Sequence, residues 1–209
     1  MKRLELEYWI GAFGALKTAF VAAEERLCGY DAAIGDGDHG TSMALGFAES
    51  ERAIADHEPA DIGELFQTAG VAFMGNVGGV TGVVFGTFFL SLAEATTGVG
   101  ALTIRELRNA LADAVDAVKV RGKVREGQKS LVDALAPAVR ALERIEQGEP
   151  REALEAAARA AHEGMEATRS MEAGVGRARY QGANAVGHVD PGAASVALMF
   201  ETLAESCRD

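Results

Sequence analysis

Positive charge is scarce in this sequence: 20 lysines and arginines face 31 aspartates and glutamates, a formal net charge of −11. So acidic a surface repels nucleic acid and anionic lipid, which excludes both as partners. Any phosphate ligand then needs its positive charge supplied locally. Aromatic residues are also few, at 6%, while alanine is plentiful, a composition that packs helices closely. Cysteine is limited to Cys28 and Cys207, far apart in sequence, and reads as two reduced thiols of a cytoplasmic protein. Long hydrophobic runs are missing. The most apolar stretch, Val83 to Ala93, falls short of the ~20 residues a spanning helix needs. The start Met1-Lys2-Arg3 does not open a signal peptide, because Glu5, Glu7 and Lys17 interrupt the apolar stretch and no small-residue cleavage site follows. A soluble, intracellular protein is expected. With 48% hydrophobic residues, residues 1–209 are expected to form a single folded domain.

Strand periodicity is missing as well, and helical spacing dominates. From Leu4 to Leu27 the residues Trp9, Phe13, Leu16 and Phe20 mark one buried helix face. A glycine-rich loop holding aspartates follows, then a helix from Thr41 to about Asp56. Asp61 and Glu64 form a capping box for a helix to about Gly75, and Gly75 to Gly79 lead into an apolar helix reaching Ala95. Thr103 and Glu106 make a second capping box, ahead of the stripe Ile104, Leu107, Leu111, Val115 and Val118. After a charged loop, Gly122 to Gly127, a helix runs through Leu135 to about Gln147. Pro150 opens an alanine-rich helix to about Thr168, and Asp190-Pro191 opens a last helix ending near Cys207. The expected fold is all-α, eight antiparallel helices in an up-and-down arrangement. Loops separated by an even number of helices emerge at the same end, so the glycine clusters gather at one mouth.

Asp31, Asp36 and Asp38 put three carboxylates within eight positions, among Gly35, Gly37 and Gly40. Hard cations such as Mg²⁺ want several oxygens at short range, from a few carboxylates and phosphate. A merely solvated acidic loop would mix in lysine and would not need these glycines. It is not an EF-hand: counting from Asp36, the required glycine position holds Thr41 and the final glutamate position holds Phe47. Three carboxylates and a nucleoside diphosphate need cations between them, and two Mg²⁺ bring such a site near neutrality. Gly78-Gly79-Val80-Thr81-Gly82 offers amides and a hydroxyl at a helix start, suited to an anion or equally to close packing. It lacks the Lys-Ser/Thr ending and preceding strand of a P-loop. Gly127-Gln128-Lys129-Ser130-Leu131-Val132-Asp133 again places glycine before a helix, and solvation is the favoured reading of Lys129 over nucleotide contact. Arg177 could stabilise charge on a transferring phosphoryl group. His39 and His188 flank glycine-rich turns and are candidate phosphate or ribose contacts. No serine, cysteine and histidine grouping suggests a covalent nucleophile, so chemistry by positioning and electrostatics fits better.

Five blocks, DAAIGDGDHG, GGVTGVVFGTFF, GQKSLVDAL, GRARYQG and GHVDPGA, resemble in order and spacing the nucleotide-binding L subunits of the dihydroxyacetone kinases. The resemblance implies an eight-helix barrel with a nucleotide site at one end. It implies that Asp31, Asp36 and Asp38 hold two Mg²⁺ ions bridging the phosphates of ADP or ATP. His39, Gly40, Thr41, Ser42, Gly79, Thr81, Gly127, Leu131, Arg177 and the Asp190-Pro191-Gly192 turn would line the nucleotide, Arg177 acting catalytically. It further implies a separate K-type subunit that carries the acceptor sugar, this chain being too short to include it. The donor is either exchanged ATP or a phosphotransferase-system M-type protein that rephosphorylates bound ADP, the latter favoured because the chain stands alone. Other readings are a kinase half for a tetrulose or a carrier-bound fatty acid, and a nucleotide-sensing regulator that transfers nothing. The sequence departs from the family pattern at Gln128 and Leu131, where an acid and a base-packing methionine are usual, and at Thr81 and Val83.

Overall fold

The computed structural model describes residues 3–145 and 149–207. Leu4–Glu5 (β1) pairs antiparallel with Ala101–Leu102 (β2), Leu4 opposite Leu102. The α-helices are α1 Leu6–Ala22, α2 Glu24–Ile34, α3 His39–His57, α4 Ile62–Asn76, α5 Gly79–Ala95, α6 Ile104–Gly122, α7 Val132–Glu143, α8 Pro150–Ala167 and α9 Pro191–Ser206. Short 3₁₀ turns cover Thr168–Ser170 and Ala178–Ala185. The fold is all-α. With α1 and α2 counted as one bent rod, the eight expected helices are all present among the described residues.

The expected first helix differs in two respects. Its first residues join the small β1–β2 ladder, which is too short to show a period of two in sequence. The helix then bends at Ala23 and resumes as far as Ile34. Gly29 does not end it, because Leu27, Asp31 and Ile34, four and three residues apart, all turn inward. Asp31 therefore sits on the last turn of a helix and not in a loop. Further on, α7 ends at Glu143; its expected end at Gln147 lies outside the described residues.

The caps explain most other boundaries. Asp61 accepts from the Glu64 amide at 2.9 Å, while the Glu64 carboxylate reaches the Ala60 amide. Thr103 and Glu106 complete a reciprocal capping box at the start of α6. Asp190 accepts from the Ala193 amide at 2.8 Å, with Pro191 in the first turn of α9.

Each helix packs against its neighbour in sequence and α9 packs back on α1, so the ring closes. All nine phenylalanines are buried, and together with Trp9 they fill the interior. Of the few aromatics, only the three tyrosines lie outside this core, Tyr8 and Tyr30 half-buried and Tyr180 exposed. Small residues let the rods approach: a Cβ at Gly46 would collide with the Phe73 ring, and one at Gly164 with the Asp133 carbonyl. Ser50 Oγ donates to the Ala69 carbonyl at 3.0 Å, in the same antiparallel register as Gly46 against Phe73. That register sets the start of α3 beside the end of α4. Gly122, ending α6, lies near Val84 at the start of α5, and Gly164, late in α8, lies on the start of α7. The glycine-rich connections accordingly share one mouth, as helix parity requires. No disulfide joins Cys28 and Cys207. No helix among the described residues is long and apolar enough to cross a membrane.

Candidate metal and nucleotide site

Three carboxylates meet at this mouth. Ligand oxygens of Asp31, Asp36 and Asp38 all lie within 4.8 Å of one another. The turn after α2 is wound around Asp31, whose Oδ2 accepts from the amides of Gly37 (2.8 Å), Asp38 (3.0 Å) and His39 (3.3 Å). Gly37, with φ +81, makes that winding possible, and a Cβ at Gly35 would collide with Asp31 Oδ1. Burial pushes the Asp31 carboxyl above its usual range and the nearby Asp36 adds to this, while the three amides pull the other way. Asp36 and Asp38 are exposed to solvent.

Arg177 enters from the segment between α8 and α9. Its guanidinium pairs with Asp36 and stands 3.8 Å from Asp38. Residues about 140 positions apart in sequence are thus joined at the charged centre of the mouth.

His39, the first residue of α3, is buried and shares a 2.8 Å hydrogen bond between Nε2 and Ser195 Oγ. Burial lowers its pKa to about 4, against smaller opposing effects from Asp38 and the Pro191 backbone, so the ring is neutral at pH 7. Gly40 is pressed against α2, where a Cβ would strike the Glu24 carbonyl and Cys28. Thr41 Oγ1 donates to Glu24 Oε1 at 2.8 Å, and Ser42 is half-buried in the first turn of α3.

On the opposite wall, Asp133 accepts from the Gly127 amide at 2.5 Å and the Ser130 amide at 2.8 Å, folding residues 127–130 into a tight loop. Gly127 has φ +84. Leu131 then packs beside Gly192, whose Cβ would lie 3.2 Å from that of Leu131. Asp190 caps α9; burial together with the charges of Asp133 and Asp31 pushes its carboxyl up to about 7, against the pull of the Ala193 amide and Lys129. Gly79, with φ +68 and open space around it, starts α5 beside half-buried Thr81. Among the described residues these two make no hydrogen bond to the aspartates or to the Arg177 segment.

Lys129 departs from its expected place. It precedes α7, is not solvated and is only 1% exposed. Its Nζ donates to the carbonyls of Thr168 and His188, each at 2.6 Å, and burial lowers its pKa. The His188 side chain itself faces solvent. Asp133 and Ser195 were not legible as site residues either. Asp133 does carry a signal, since Ser130-x-x-Asp133 has the spacing of a helix-start box. Ser195 carries none.

The structure defines an all-α barrel with an acidic, arginine-bearing mouth, and the sequence family follows from comparison. The pattern described as the DAK2 domain matches residues 33–205, and the chain belongs to this DAK2-domain family. It is 37% identical to the PEP-dependent dihydroxyacetone kinase, ADP-binding subunit DhaL of Escherichia coli (strain K12), spanning 100% of this chain and 99% of that one. With the corresponding subunit 1 of Listeria innocua it shares 33% identity over 95% of this chain and 93% of that one. The D-erythrulose kinase of Mycolicibacterium smegmatis is 35% identical over 93% of this chain, which spans 34% of that longer protein. Among solved structures, the dihydroxyacetone kinase from C. freundii in complex with AMP-PNP and Mg²⁺ superposes with a TM-score of 0.73 at 28% identity. That match covers 94% of this chain and 33% of that one. The likeness to kinase L subunits read from the five sequence blocks is borne out.

Proposed function

We propose that this chain is the nucleotide-binding half of a dihydroxyacetone kinase. It holds ADP or ATP with Mg²⁺ at the barrel mouth and passes a phosphoryl group to dihydroxyacetone carried by a separate K-type subunit. The observation that carries this reading is the convergence of Asp31, Asp36 and Asp38 within 4.8 Å, with the Arg177 guanidinium beside them.

The donor set fits the ion. Carboxylate oxygens are the hard ligands Mg²⁺ prefers, and three of them leave an excess of negative charge that one arginine does not balance. When bound, two such ions would supply enough positive charge to offset this excess together with the charge of a nucleoside diphosphate. The chain's own residues then divide the work. The three amides on Asp31 Oδ2 fix one ligand's direction before any ion arrives. Arg177 is available to the equatorial oxygens of a phosphoryl group in flight, a role in which positioned positive charge replaces covalent chemistry. The start of α5 at Gly79 and Thr81 offers amides and a hydroxyl to phosphate, and Gly127, Leu131 and the Asp190–Gly192 turn form the wall against which a base would lie. His39 is neutral and bonded to Ser195, so it braces the turn without supplying charge.

Two relatives named as PEP-dependent or PTS-dependent, ADP-binding subunits support ADP as a resident cofactor recharged by an M-type phosphotransferase protein. Such a role implies the cytoplasm. A tetrulose acceptor is the second reading, favoured by the erythrulose kinases among the relatives. The test combines this chain, its K-type partner, Mg²⁺ and dihydroxyacetone or erythrulose, with either ATP or a PEP-fed phosphotransferase system. Detection of a sugar phosphate by ³¹P NMR is expected. ADP binding with no transfer from either donor would instead establish the nucleotide-sensing role.

A further inference from the structure

Lys129 is a buried lysine in a left-handed backbone conformation, with φ 60, and both features are costly. Its ammonium is satisfied by two backbone carbonyls, of Thr168 and His188. Those carbonyls stand at the two ends of segment 169–187, the arm that carries Arg177. Two further bonds close the same neck: the Gly187 amide to the Arg169 carbonyl at 2.7 Å, and the Asp190 amide to Thr168 Oγ1 at 2.9 Å. The Gly174 amide also bonds the Gln128 carbonyl, beside Lys129, at 3.0 Å. Beyond its neck the arm has only short 3₁₀ turns, glycines with positive φ at 176, 182 and 187, and mostly exposed residues. On the other side, Asp133 locks the loop that presents Lys129 to the start of α7. A continuous path therefore runs from α7 through Lys129 and the neck of the arm to Arg177 and the aspartates.

We propose that Lys129 is a positioning residue, whose ammonium fastens the neck of the 169–187 arm and thereby sets where the Arg177 guanidinium stands over Asp36 and Asp38. The proposal rests on the kinase reading of that site. Two carbonyl oxygens drawn to one point repel each other unless a donor sits between them, and a lysine supplies three N–H donors with no acceptor. An apolar residue of the same length leaves the His188 carbonyl without this donor and the Thr168 carbonyl with the Met171 amide alone, at 3.1 Å.

Lys129→Met, in the complete chain, is expected to raise hydrogen exchange in residues 171–186 while leaving the amides of α4 and α5 protected as before. In the assembled enzyme, kcat is expected to fall about 100-fold, the effect of moving a reacting group by roughly 1 Å. KM for the acceptor sugar is expected to stay within about twofold. In an Arg177→Ala background the same change is expected to cost under about twofold, because the group it positions is gone. Thr168→Val, which opens the neck without touching Lys129, is expected to loosen the same residues and covers the case in which Lys129→Met does not fold. Unchanged exchange in the arm for either folded variant overturns the proposal. So does a full, additive loss of kcat in the Arg177→Ala background, which would make Lys129 act independently of Arg177. The exchange measurement needs no substrate, so failure of the kinase reading and failure of this proposal give different results.

Discussion

His39 Nε2 meets Ser195 Oγ at 2.8 Å across 156 positions of sequence, tying the start of α3 to the early turns of α9. Both residues are buried, and that burial disfavours a charged imidazole there. The unfolded chain binds a proton at His39 near pH 6.5, the folded chain only near pH 4. Stability from this group is thus fully present above about pH 6.5 and is lost as the pH falls through about 4, amounting to about 3 kcal/mol at the acid end. Urea unfolding of the metal-free chain between pH 7 and pH 4 measures it. His39→Gln is expected to flatten that part of the profile.

Asp36 is exposed and takes part in no helix, so Asp36→Asn is expected to leave the melting temperature nearly unchanged. Its carboxylate is one of the three that converge at the mouth, and in the proposed metal site its loss is expected to weaken Mg²⁺-ADP binding by about 100-fold. Calorimetry checks both parts. Unaltered ADP affinity would remove Asp36 from the ligand set.

The proposed site gives Arg177 two roles with opposite signs. In the ligand-free chain its guanidinium competes with a cation for Asp36 and Asp38. Arg177→Ala is therefore expected to bind Mg²⁺ alone as tightly as the parent or more tightly. With nucleotide and acceptor present, kcat is expected to drop by about 10³-fold, the scale of a lost arginine in phosphoryl transfer. Metal titration and steady-state kinetics on one preparation separate the two.

Gly40 is expected to matter for packing before it matters for nucleotide. A Cβ there would press on the Glu24 carbonyl and on Cys28, forcing α2 and α3 apart. Gly40→Ala is expected to cost about 1–3 kcal/mol by chemical denaturation. An unchanged midpoint would return Gly40 to a purely ligand-facing role.

Much of this was legible from local patterns. The stripe Ile104, Leu107, Leu111, Val115 and Val118 is buried as its spacing requires, and Asp61, Thr103, Pro150 and Asp190 stand where helices begin. The aspartates of DAAIGDGDHG were recognisable from carboxylate density and glycine alone. The run of α2 through Gly29 was less so. Glycine costs a helix only about 1 kcal/mol, and the inward face of Leu27, Asp31 and Ile34 outweighs it.

Lys129 shows where local reading stops. Between Gln128 and Ser130, after a glycine, a lysine looks like a solvated loop residue. Its burial depends on two carbonyls, at 168 and 188, whose convergence no nearby residue announces. Ser195 is equally silent in an apolar helix until His39 arrives opposite it.

By itself, then, the sequence determined the helical rods, their caps, their alternation and the acidic loop, because each follows from contacts within a few residues. Helix parity even put the glycine clusters at one mouth. Closure of the ring decided the rest. Only when α9 lies against α1 and α8 against α7 do Arg177, Lys129 and Ser195 meet Asp36, the arm's neck and His39. Hydrogen bonds and ion pairs act over a few ångströms, and between residues so far apart in sequence that distance exists only in the folded barrel.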